Sequence, residues 1–148
     1  MKAVSKIYNY LIIIFALIGL GAMIYLPLDL SNTVPNSCNI NTTLNCSKVA
    51  ASSYSFYFGI PLYIYGWVFF SIILALILLN TVIKNGLIRK YSLYSLVSVS
   101  ALGAVAVSYL IYLVAVRIGA ICIFCATSYA SEFIILALVL HIFAKRKR

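Results

Sequence analysis

The sequence predicts an all-α, polytopic membrane protein: a bundle of four transmembrane helices, with a short interfacial helix in the first outer loop. Three observations predict it. Of 148 residues, 65% are hydrophobic and only 9% are charged, against about 45–50% and about 25% in soluble domains. Four apolar runs reach the length of about 20 residues that a helix needs to cross hydrocarbon. The basic residues gather at the ends of those runs.

The first run, Ile7–Leu28, follows Lys2 and Lys6 and ends near Pro27. It exceeds the apolar core of a signal peptide, which runs to about 15 residues, and no small-residue cleavage site follows it. It reads as an uncleaved first helix. The others are Ile60–Ile83, Tyr91–Val116 and Ala120–Ala144, with an outer loop over 29–59. Each must be helical, because an unpaired backbone group in lipid costs several kcal/mol. Together they make one membrane domain over 1–148.

The net charge of +9 is a matter of topology. Lys2, Lys6, Lys84, Arg89, Lys90, Lys145, Arg146, Lys147 and Arg148 share one side of a four-helix path, and Lys48 and Arg117 hold the other. The positive-inside bias puts both termini in the cytoplasm of a cell membrane, with the loop cysteines on the outer face. Tyr8, Tyr10, Tyr91 and Tyr94 fall at the inner boundary, and Tyr25, Tyr109 and Tyr112 near the outer one. No basic groove interleaved with aromatics is present, so the partner is lipid and not nucleic acid. In the third helix Ser100, Ala104 and Ser108 form a small-residue row for close helix packing. Trp67, Phe69 and Phe70 read as packing or lipid contacts.

The outer loop has two halves. Asp29–Asn45 is rich in Asn, Ser and Thr, contains Pro35 and reads as irregular, with Asp29 solvated at the helix end. Cys46–Tyr54 has short-helix composition, with Thr43 or Asn45 as cap. Pro61 suits the first turn of the second helix.

The chemistry lies in four cysteines on one face: Cys38, Cys46, and the pair Cys122-Ile-Phe-Cys125. They have three readings. Structural disulfides suit small cores, which a bundle of long helices is not. Zinc fingers and ribbons pair two tight half-sites, whereas seven residues separate Cys38 from Cys46, and the one histidine, His141, falls at the opposite end. Thiol–disulfide exchange fits best. At a helix N-terminus the unpaired N–H groups favour thiolate at Cys122, while Cys125 lies a turn deeper. Cys38, on a mobile loop, meets a partner protein, and Cys46 passes electrons to the deeper pair. No nucleotide, haem or flavin fingerprint is visible, so a lipid-soluble quinone is the natural acceptor. Glu132 is costly inside a membrane and hence a functional candidate. On a helical wheel it falls about 20° from Cys125, and Tyr129 about 40° from it.

These motifs resemble the vitamin K epoxide reductase family in its prokaryotic-type form. The resemblance rests on the Cys38–Cys46 spacing, Ser52 six residues further on, Phe58-Gly-Ile-Pro61, and Cys122-Ile-Phe-Cys125 followed by Ala-Thr-Ser-Tyr129. A second group of quinone-linked disulfide enzymes has the two cysteine pairs in the opposite order. The resemblance implies that Cys122–Cys125 is the active-site disulfide, with Cys125 beside the quinone. It implies that Cys38–Cys46 is the shuttle pair and that a Cys46–Cys122 mixed disulfide links them. Ser52 and Tyr129 would help hold the quinone. Vertebrate members carry a pocket asparagine where this chain has Ser55. Many bacterial members have a fused thioredoxin-like domain; this chain stops at Arg148, so a separate thioredoxin-like partner is expected.

The function expected is therefore oxidation of that partner coupled to reduction of a menaquinone, ubiquinone or vitamin K type quinone. The alternatives are a vitamin K epoxide or quinone reductase of a carboxylation cycle, and a non-catalytic metal-binding membrane subunit.

Overall fold

A computed structural model describes residues 2–31, 38–83 and 86–147, with side chains over 7–31, 38–83 and 86–145. Pro35, Lys84 and Arg148 lie outside the described residues. Among the described residues five α-helices run in chain order: α1 (Lys2–Leu30), α2 (Cys46–Ala50), α3 (Leu62–Val82), α4 (Gly86–Leu113) and α5 (Ile123–Lys147). Four spans of the described residues are long and apolar enough to cross a membrane: Ile7–Leu30, Leu62–Val82, Gly86–Ile118 and Ile123–Lys145. The four long helices pack in the ring order α1, α3, α4, α5.

The helices are apolar on both faces, as a membrane requires. Ile12, Phe70, Ile73, Ile77, Leu96, Ile135 and Val139 fill the interior, while Ile14, Leu17, Ile72, Leu102 and Val105 point outward. Lipid is as apolar as leucine, so outward leucines cost nothing there, and helix association rests on close packing. The small-residue row is part of that packing, with one change. Ser100, Gly103 and Ala104 are buried, whereas Ser108 is exposed and bonds back to the Ala104 carbonyl at 2.7 Å. Gly103 is the most tightly enclosed of the glycines: a Cβ there would sit 2.2 Å from the Phe69 ring.

α1 runs past Pro27 to Leu30, with the Ser31 N–H donating to the Pro27 carbonyl at 3.0 Å. This corrects the expectation of a solvated Asp29, which is only 1% exposed. The extra turn keeps Asp29 three residues from buried Leu26, on the same inward face.

Between Ser55 and α3 the chain forms a two-stranded hairpin that composition did not suggest. β1 (Phe56–Tyr57) pairs antiparallel with β2 (Ile60–Pro61). The turn residues Phe58 and Gly59 have φ of 52° and 77°, the left-handed pair that a tight hairpin turn demands. Pro61 stands at the cap just before α3.

Candidate redox site

The site begins with a cap. α5 starts at Ile123, so Cys122 is the residue that caps it. The Cys122 Sγ accepts the Cys125 N–H at 3.3 Å, and the Cys122 carbonyl accepts the Ala126 N–H at 2.9 Å. Sulfur here does the work of a capping oxygen, facing N–H groups that favour negative charge. The Cys122 thiol is accordingly held below its ordinary value. The hydrogen bond from the Cys125 thiol is the largest cause, and the Cys125 and Phe124 N–H groups add to it; burial and the Asp29 charge oppose it.

The loop before α2 is tied to this cap by backbone. Leu44 bridges Ile121 in a parallel pairing: Asn45 N–H donates to the Ile121 carbonyl at 3.2 Å, and Ile121 N–H to the Thr43 carbonyl at 2.7 Å. Side chains hold the rest. Asn41 Oδ1 accepts from the N–H of Thr43 and Leu44, at 2.9 and 2.7 Å. Asn39 and Ser47 exchange two hydrogen bonds. Asn45, not Thr43, caps α2 by accepting the Lys48 N–H at 2.8 Å. The register that pairs Leu44 with Ile121 also sets Cys46, two residues on, beside Cys122, the residue after Ile121.

The sulfurs converge as a result. Cys38 and Cys46 form a disulfide with Cα atoms 5.5 Å apart. Cys46 Sγ lies 3.1 Å from Cys122 Sγ, and all three sulfurs fall within 4.8 Å of one another. Cys122 and Cys125 are unbridged. Since Cys38 and Cys46 are bonded to each other, only Cys122 of these three carries a free thiol. Cys38 is not the accessible loop residue expected from sequence: it is 1% exposed. Its bond to Cys46 draws it among Leu26, Val49 and Ala120.

Below the sulfurs opens a cavity of about 680 Å³, lined by residues of all four long helices and of the loop. Cys46, Cys122 and Cys125 are on its wall. So are Ser55, Tyr129 and Glu132, which brings three of the four predicted ligand contacts together. The wall carries Ser55 but not Ser52. The Ser52 hydroxyl donates to the Val49 carbonyl at 2.7 Å and meets the Ser55 hydroxyl at 3.1 Å, so it backs Ser55 from behind. Ser55 also donates to the Val49 carbonyl. Phe69 and Phe70 belong to the wall, beyond the packing role expected of them, whereas Trp67 packs against the apolar core.

Sequence reasoning missed Asp29, Gly103 and Ser128. Ser128 also lines the cavity, and its hydroxyl donates to the Phe124 carbonyl at 3.0 Å. A signal for it existed, since Ser128 lies between Cys125 and Glu132 at helical spacing.

A family model described as the vitamin K epoxide reductase family matches residues 10–140. The chain belongs to the vitamin K epoxide reductase family. This makes it a membrane oxidoreductase, and the family acts with quinones in general. No curated protein sequence matches the chain. The size and lining of the cavity fit a group of that kind. The volume falls in the range of about 300–1,000 Å³ usual for small-molecule sites. The walls are mainly apolar and aromatic. The Glu132 carboxylate oxygens are buried there with no hydrogen-bond partner among the described residues, which suits a ligand that carries its own oxygens.

Proposed function

We propose that this chain oxidises a thioredoxin-like dithiol protein and delivers the electrons to a quinone in the membrane. The observation that carries this reading is the 3.1 Å approach of Cys46 Sγ to Cys122 Sγ at the wall of an apolar cavity that Cys125 shares. The partner's thiols reduce the Cys38–Cys46 bond. Cys46 thiolate then attacks Cys122 of an oxidised Cys122–Cys125 pair, and Cys125 leaves. Cys38 attacks Cys46 and releases Cys122. The net transfer is two electrons, from the loop pair to the deeper pair, through one mixed disulfide. The depressed Cys122 thiol makes it a good leaving group in the last step.

A quinone would supply the sink, accepting two electrons and two protons. Tyr129, Ser55 and Glu132 would hold it, with Ser52 steadying Ser55. Because Cys38 is covered, exchange with the partner requires residues 38–45 to lift. The Asn39–Ser47 clasp and the Leu44–Ile121 bridge are the contacts that would open. The charge bias supports an orientation with both termini in the cytoplasm and the cysteines outside, where the partner would be found.

Turnover tests this. The purified protein is mixed with a reduced thioredoxin-like dithiol and a short-chain quinone. The expected result is one partner disulfide formed per quinone reduced, abolished by Cys125→Ala. Dithiol oxidation that proceeds unchanged in Cys125→Ala, or without quinone consumption, contradicts the proposal.

A further inference from the structure

Glu132 is 0% exposed, and neither of its carboxylate oxygens has a hydrogen-bond partner among the described residues. A buried acid inside a membrane span is expensive, and an unsatisfied polar group adds to that cost. Packing does not require it, because Ile135 and Val139 fill the following turns of α5 with apolar atoms. Room has nevertheless been left for the carboxyl group. Facing it from α4 is Gly103, where a Cβ would come within 2.9 Å of Glu132 Oε1 as well as striking Phe69 of α3.

Both Glu132 and Cys125 line the cavity, seven residues apart on α5. Seven residues are about two turns and roughly 10 Å of rise. Helical side chains lean toward the N-terminus, so the carboxyl group leans back toward Cys125. A flat ring with an oxygen at each end would span the remaining gap, one oxygen near the thiol and the other at the acid.

We propose that Glu132, protonated, is the hydrogen-bond donor and proton carrier for the quinone oxygen farther from Cys125. This rests on the quinone reading above. When Cys122 and Cys125 join, they release two electrons and two protons, and two electrons and two protons pass to the quinone. Glu132 gives one proton from its carboxyl oxygen and recovers one of those released by the cysteines, so it ends as it began.

The full chain, with its Cys122–Cys125 pair reduced, is examined with a short-chain naphthoquinone. Infrared difference spectra should show a protonated-carboxyl band that shifts when quinone binds and is missing from Glu132→Gln. Quenching of the single tryptophan, Trp67, reports binding. Glutamine keeps a donor, so the dissociation constant should stay within about threefold, while single-turnover oxidation of the thiol pair slows by about a hundredfold, the usual scale for a lost proton-transfer group. Glu132→Asp should recover much of that rate. A carboxyl band unmoved by quinone in the unsubstituted protein, or a Gln variant as fast as it, overturns the proposal while leaving quinone reduction intact. If the unsubstituted protein neither binds nor reduces quinone, the functional reading falls and takes this inference with it.

Discussion

At the scale of single residues, the site depends on making one sulfur different from the others. Cys122 caps α5 and is hydrogen-bonded by its neighbour, whereas Cys125 sits a turn deeper inside the span. Alkylation of the reduced pair, followed residue by residue across pH, should show this. Cys122 reactivity should rise with pH and level off below the ordinary thiol value of about 8.5, because its folded value is lowered. A midpoint at or above that value contradicts the capping account. Asp29→Asn should move the midpoint lower still, since the Asp29 charge opposes the thiolate. Much of this was legible. Helical spacing alone put Cys125, Tyr129 and Glu132 on one face, and all three line the cavity. The burial of Asp29 and Cys38 was not legible. Each is a polar or loop residue whose position is set by a partner far along the chain or by one further turn of helix.

At the scale of elements, the long helices were readable because lipid leaves helix as the only way to satisfy their backbone. The hairpin was not readable, since Phe58 takes a left-handed backbone that its side chain does not favour, and only Gly59 hints at the turn. The Leu44–Ile121 bridge was also hidden, because a single backbone pairing leaves no period in sequence. The α3–α4–α5 contact at Gly103 carries a clear expectation. Gly103→Ala should cost about 1–3 kcal/mol, the usual penalty for overpacking, and should weaken quinone binding by displacing Phe69 and the Glu132 carboxyl group. Gly21→Ala is the control: nothing lies within 4 Å of its Cβ position, so the higher helix propensity of alanine should leave it as stable or more so. Melting temperatures of the solubilised proteins compare the two, and equal losses would contradict the packing account.

At the scale of the whole molecule, the fold brings two cysteine pairs, far apart in sequence, to one end of a bundle and opens an apolar cavity beneath them. The order of the pairs was visible in the chain, and so was the helix count, which the four apolar spans bear out. What sequence could not supply is distance, and the account depends on one: 3.1 Å between Cys46 and Cys122. Trapping the intermediate tests it most directly. In a protein carrying both Cys38→Ala and Cys125→Ala, neither thiol that could resolve a Cys46–Cys122 mixed disulfide remains. After a mild thiol–disulfide buffer, peptide mapping should find Cys46 joined to Cys122. A folded, doubly substituted protein in which Cys46 and Cys122 stay unjoined throughout would contradict the proposed electron path.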